Sequence, residues 1–293
     1  MSETTASLRR KIDSAGDLHS VVRTMKALAA SSIGQYEKSV LALADYHRTI
    51  ELGLSVYFRN NAPLTDMVIR PKGKQAAISA IVFGSDQGLV GQFNDLIADF
   101  AVTTLASLPG KTIAWAVGER VHARLDDAGI PLIALFPVPN SVKTITPLIA
   151  RILVETETRR DHGETDELYL FYNRPTSSAA YAPVTQRLLP LDKTWLSGCA
   201  TLPWPTANLP EIVGDATTTL RALIREYLFV SLFRACAESL ASENASRLSA
   251  MQRAEKNIDE LLKELKHSYH RLRQNSIDSE LFDVISGYES LTE

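Results

Sequence analysis

Apolar residues recur at sevens along two long stretches, one at each end of the chain, and between them short apolar runs alternate with helical ones. From Glu211 to Glu293 there is no proline, and the only glycines are Gly214 and Gly287. Met251, Ile258, Leu265 and Leu272 are spaced by seven, with Ala254, Leu261 and Tyr269 near the intervening positions. That spacing keeps one stripe of a helix facing a partner helix. At about 1.5 Å per residue one helix here would span roughly 100 Å or more, so nothing local can cover its stripe.

The other end supplies a counterpart. From Ser7 to about Asn60 there is again no proline, and Leu8, Ala15, Val22, Ala29 and Tyr36 fall at sevens with Leu18 and Met25 between them. This predicts a second long helix. Its seam is narrow around Ala27–Ser32, where small residues permit close backbone approach but anchor weakly. Arg9, Arg10 and Lys11 cluster near its start, where the helix dipole does not favour positive charge. A solvated helix face accounts for them, and so does contact with an acidic partner surface.

Residues 61–76, with two prolines, a glycine and mixed charges, read as a linker. Apolar segments follow at 77–84, 112–118, 130–138 and 167–173, with a further strand candidate at 186–191. Helical stretches near 94–107, 119–128 and 142–157 separate them, and this alternation indicates βαβ units and a mainly parallel sheet. The predicted fold class is α/β: an antiparallel coiled coil of long N- and C-terminal helices carrying an inserted Rossmann-like domain. Its parts are a helix over 1–60, a linker over 61–76, the α/β domain over 77–200, a linker over 201–210 and a helix over 211–293.

Composition narrows the classes of function. A chain of 293 residues with 45% hydrophobic content can bury a proper core. With 31 basic and 34 acidic residues the net charge is −3, which gives no electrostatic reason to expect nucleic acid or an anionic membrane surface as partner. Cys199 and Cys236 form neither a close pair nor a metal-ligand spacing, so a reduced compartment is the default. No apolar run approaches the roughly 18 residues a bilayer needs, and the first residues lack the apolar core of a signal peptide. A cytoplasmic protein is expected, touching membranes only through partners.

Catalytic chemistry finds little support. Gly84-Ser85-Asp86-Gln87-Gly88-Leu89-Val90-Gly91, after the first strand, departs from G-x-G-x-x-G, and Gly118 is followed by Glu119-Arg120 with no identifiable ribose-binding acid. It reads as a tight structural turn. Gly110-Lys111-Thr112 resembles the end of a P-loop, but Leu105 stands where the first glycine belongs and a strand follows. His267 and His270 could share a helix face but have no accompanying ligands, and Ser197-Gly198-Cys199 has no base placed by sequence. Two classes stay open on the residues alone: a nucleotide-binding enzyme using Gly84–Gly91 and a coiled-coil scaffold.

The polar residues of the last helix add a more specific signal. Ser242-Glu243-Asn244-Ala245-Ser246-Arg247-Leu248-Ser249-Ala250-Met251 resembles the S-E-x-A-x-R-M/L-x-A-M signature of gamma subunits of F-type rotary ATP synthases. Arg273-Gln274-Asn275-Ser276-Ile277-Asp278-Ser279-Glu280-Leu281-Phe282-Asp283-Val284-Ile285-Ser286-Gly287 is similar to that family's R-Q-A-x-I-T-x-E-L-x-E-I-V/I-x-G run, with Asp278 replacing the threonine. Ile12, Ser14, Arg23, Met25 and Ala29-Ala30-Ser31 match its N-terminal pattern, from which Ser20, Val22 and Lys26 depart. Ser85–Gly91 is similar to its S-D-R/K-G-L-C-G turn, with Gln87 and Val90 as replacements.

The resemblance, to a divergent bacterial member, implies a rotor shaft inside a ring of alternating alpha and beta subunits, with the α/β domain as its foot. It implies as partners the alpha and beta subunits, the epsilon subunit and the membrane c-ring, with indirect membrane contact at the cytoplasmic face and no nucleic acid. No catalytic residue, metal or cofactor is expected on this chain. Arg247, Arg273, Gln274 and Glu280 match positions that bond to a beta-subunit loop; Arg9 and Lys11 match the basic shaft region facing acidic beta loops. Arg23 and Met25 match the coupling region, although Met25 also suits the seam.

Overall fold

A computed structural model describes residues 4–60, 76–177, 180–191, 195, 198–199, 201–208, 210–212 and 214–292. The expected linker lies, but for its last residue, outside these, as does Ser197. Two compact units emerge: Met1–Ala30 together with Arg247–Glu293, and Ser31–Ser246.

The larger unit is built on a five-stranded sheet in the order β3-β2-β1-β4-β5, with β1 Ala76–Phe83, β2 Gly110–Val117, β3 Leu132–Phe136, β4 Glu167–Arg174 and β5 Ala182–Leu189. β1 runs parallel to β2 (Ala76 opposite Gly110) and to β4 (Ile78 opposite Glu167), and β3 is parallel to β2. Only β5 is antiparallel, an edge position that tolerates Pro183. Successive side chains point to opposite faces of the sheet, and each face has its own cover.

Ile81, Phe83, Trp115, Val117, Leu170 and Tyr172 share one core with α5 (Val142–Asp161), with α2 (Ala44–Asn60) and with the first part of α6 (Ala216–Thr292). Ile78, Ala80, Val82, Ala114, Ala116 and Phe171 pack on the other side against α3 (Phe93–Ala106) and α4 (Glu119–Asp127). Cover on both faces is the condition under which a parallel sheet is stable.

Two expectations about the terminal helices need correction. The single helix predicted over Ser7–Asn60 is two, α1 (Thr5–Ala42) and α2, parted at Leu43. The Ser39 hydroxyl donates to the Tyr36 carbonyl, and the Leu43 N–H bonds to Val40, three residues back instead of four. Such back-bonding competes with the helical ladder. At the other end α6 begins at Ala216, not near Glu211. Gly214 adopts φ +99°, and the Asp215 carboxylate accepts from the backbone N–H of Thr218 at 2.7 Å and from its hydroxyl at 2.6 Å, capping the first turn.

The smaller unit is an antiparallel pair. Val22 of α1 is buried with Met251 and Ile258 of α6, and Met25, Ala250, Ala254 and Leu262 pack around them. Lys26 is ion-paired with Glu255, and His19 Nε2 lies 3.2 Å from Asp259 Oδ1, so α6 advances as α1 recedes. Leu8, Ala15, Val22 and Ala29 are all buried as their spacing predicts. Met25 and Ala254 pack beside the seam as their spacing predicts, whereas Leu18 and Leu261 are exposed and Leu262 packs in place of Leu261.

Candidate functional site

In the larger unit the chain runs outward from β1 to β2 and β3, then returns to place β4 on the other side of β1. Open α/β sheets bind ligands at such a reversal, outside the carboxyl ends of the strands. Here protein fills that crevice.

The turn after β1 is turned inward. The Ser85 N–H donates to Asn94 Oδ1 at 2.9 Å, Asn94 Nδ2 donates to Ser85 Oγ at 2.8 Å, and that hydroxyl donates to the Gln87 carbonyl at 2.9 Å. The Asp86 carboxylate accepts from the N–H of Glu119 at 3.0 Å and of Val138 at 2.9 Å, binding the loops after β2 and β3 to the loop after β1. A Cβ on Gly84 would lie 2.4 Å from the Cβ of Val121; one on Gly118, at φ +118°, would lie 2.8 Å from the backbone of Ser85. These glycines permit close packing of loop on helix, as expected of a structural turn.

The first part of α6 crosses the same ends. Ser242 Oγ donates to the Asn173 carbonyl at 3.0 Å, and Asn173 Nδ2 donates to the Phe93 carbonyl at 3.0 Å. Ser246 Oγ donates to the Val90 carbonyl at 2.5 Å, beside Tyr181, whose ring meets Phe93 edge-on at 5.4 Å. One turn earlier the buried Glu238 takes Arg174 Nε at 3.0 Å on one oxygen and Arg234 Nε at 2.7 Å on the other. Arg174 also bonds the Tyr172 hydroxyl, whose pKa is raised above the usual range chiefly by burial and secondarily by Glu238. The four-residue spacing of Arg234, Glu238, Ser242 and Ser246 is the sequence signal for this face, which pattern reading passed over in favour of the family signature.

The residues assigned to partner contact do not surround a cavity. Arg247 is half-buried, whereas Arg273, Gln274, Glu280, Arg9, Lys11 and Arg23 are exposed and Met25 is half-buried against the Val22 seam. Arg247 and Glu280 stand about 50 Å apart along α6 at the rise of an α-helix. They belong to an extended surface. From Arg273 to Ser286 every residue of α6 is exposed, including Ile277, Leu281, Phe282, Val284 and Ile285, which lie within the family signature but outside the residues assigned to partner contact.

Neither thiol is set up to react. Burial, with Glu51 adding to it, pushes Cys199 up to about 12; burial and then Glu243 push Cys236 up as well. His267 and His270 are exposed, and among the described residues no group of three ligating side chains gathers. Among the same residues no helix is long and apolar enough to cross a membrane.

Residues 4–291 match the family model described as ATP synthase. The chain is 25% identical to the ATP synthase gamma chain of Desulfitobacterium hafniense, over 97% of its own length and 98% of that protein's. Identity to the gamma chain of Dechloromonas aromatica is 27%, covering 96% of each. The chain belongs to the ATP synthase gamma family. Among solved structures this gamma-family fold is shared with a chain of the Euglena gracilis mitochondrial ATP synthase, at TM-score 0.65 and 16% identity, covering 98% of this chain and 94% of that one. It is also shared with a chain from the central stalk and c-ring of the Tetrahymena thermophila enzyme, at TM-score 0.56 and 18% identity, covering 80% and 99%.

Proposed function

We propose that this gamma-family chain is the central rotor shaft of an F-type ATP synthase, coupling ion-driven rotation of a membrane ring to conformational change at nucleotide sites on surrounding alpha and beta subunits. The observation that carries this is the exposed end of α6, where Ile277, Leu281, Phe282, Val284 and Ile285 face solvent on a helix without proline. An apolar surface of that extent calls for a protein collar. A shaft needs stiffness and asymmetric faces, and it shifts the states of its ring only through contacts that differ between them.

In this proposal Arg247, Arg273, Gln274 and Glu280, with Arg9 and Lys11, meet beta-subunit loops, and Arg23 and Met25 lie in the coupling region. The α/β domain serves as the foot, next to the epsilon subunit and the c-ring at the cytoplasmic face of the membrane. The chain itself carries no catalytic residue and needs no cofactor; the filled crevice at the sheet's reversal supports this.

Co-expression with alpha and beta subunits tests the proposal. The expected result is co-purification as one complex that hydrolyses ATP, with assembly weakened by Leu281→Ser or Phe282→Ser. Failure of the unaltered chain to associate would remove the rotor function, and tight saturable nucleotide binding by the isolated chain would favour an enzyme instead.

A further inference from the structure

We propose that the Glu238–Ser242–Ser246 face of α6 is the joint through which torque passes between the shaft helix and the α/β domain; this rests on the rotor function above. From Tyr227 to Ser246 α6 is buried on nearly all sides, with Arg234 its one exposed residue and Phe229 and Ala245 half-buried. Most of that contact is apolar: Leu228, Val230, Leu232, Phe233 and Leu240 join the core shared with the sheet.

Apolar packing resists separation but has no direction. A twisting load on the helix asks for something else, a set of contacts that fix its azimuth and its axial position. Hydrogen bonds lose strength steeply when their angle is changed, so they supply that resistance.

The three polar side chains do this at consecutive turns. Glu238 grips Arg174 at the end of β4. Ser242 bonds the Asn173 carbonyl, and Asn173 in turn holds the carbonyl of Phe93 at the start of α3. Ser246 bonds the Val90 carbonyl in the turn after β1. A twist of α6 about its own axis therefore strains bonds to β4 and to the β1–α3 loop together. Ser242 is 0% and Ser246 7% exposed, so water cannot substitute for either bond without opening the contact. They are positioning residues, acting on the coupling and touching no nucleotide.

The test uses the complete complex in inverted membrane vesicles. ATP hydrolysis is followed alongside ATP-driven uptake, read with an acridine pH dye and, in parallel, with radioactive sodium. For Ser242→Ala combined with Ser246→Ala, the expected result is a complex that assembles and hydrolyses ATP while moving fewer ions per ATP against a steep gradient. Amide exchange in residues 88–94 rises roughly fivefold on removal of the Ser246 hydroxyl, the effect of losing one ordinary hydrogen bond. Ser246→Thr keeps the hydroxyl and restores both readings.

Parental ion transport per ATP in the double variant, or a threonine variant that behaves like alanine, would overturn the joint while leaving the rotor function standing. If the double variant does not assemble, Ser246→Ala alone decides by the same two readings. Loss of all association with alpha and beta subunits in the unaltered chain would remove both proposals.

Discussion

One helix, α6, lives in two environments. Between Tyr227 and Ser246 it is a core element, buried around almost its whole circumference, with Glu238, Ser242 and Ser246 bonded to the α/β domain at fixed points. From Arg247 to Ser286 only Met251 and Ile258 are buried, and a narrow stripe of these two with Ala250, Ala254 and Leu262 beside them holds the pair with α1. Backbone and hydrogen-bond ladder are the same in both parts. What differs is the number of faces that must be apolar, and this separates a part that anchors from a part that stays available to partners.

The comparison can be broken most directly in the anchored part. Leu232→Ala, at a fully buried position, should cost about 3–4 kcal/mol in denaturant unfolding of the isolated chain, a transfer loss plus a cavity that the close packing cannot close. A loss under 1 kcal/mol would mean that this segment is not core. Met251→Ala should cost less, about 2 kcal/mol, since one helix alone faces the site. Its effect should appear as faster amide exchange over 247–262 with little change over 227–246, and equal loosening of both would erase the distinction.

Met25→Lys sharpens the boundary between seam and contact surface. The side chain is half-buried against Val22, Met251 and Ile258, so the charge should cost about 1 kcal/mol in stability while impairing coupled transport in the complex more severely. A stability loss of several kcal/mol, with coupling preserved in what assembles, would make Met25 a seam residue only.

Acid should loosen the paired helices selectively. The Lys26 ammonium, by hydrogen bond and then by charge, with His19 and Arg23 adding to it, holds Glu255 below its ordinary range. A depressed carboxylate stabilises the fold above its unfolded pKa, and the contribution disappears as pH falls through the folded value. Protection in the α1–α6 pair should therefore decline as acid passes the ordinary carboxylate range, and Glu255→Gln should flatten that part of the profile. An unchanged slope in the variant would assign the pH dependence elsewhere. Smallest of all, Phe282→Ser should change the isolated chain's stability by no more than about 0.5 kcal/mol, because the side chain is exposed, while assembly suffers.

Much of this was legible in the pattern of residues. The spacing of Leu8, Ala15, Val22 and Ala29 identified a buried stripe because a helix repeats its faces on a fixed period, whatever it packs against. The strand at 77–84 and the helix at 94–107 fall within a residue of β1 and α3, since long apolar periods are local signals. The break at Leu43 was not visible, because neither proline nor glycine announces it. Ser242 and Ser246 read as part of a signature on a helix surface, and their burial against Asn173 and Val90 depends on residues 69 and 156 positions away.

Periodicity, turn chemistry and the family signature, all short-range properties written in consecutive residues, established the two long helices, the alternating middle and membership of the gamma family. Which strand lies beside β1, which half of α6 is core, and whether a serine faces solvent or a carbonyl were decided only by the folded chain. Those outcomes depend on long-range contacts, where burial and hydrogen-bond satisfaction are balanced over the whole fold and no single stretch of sequence contains both partners.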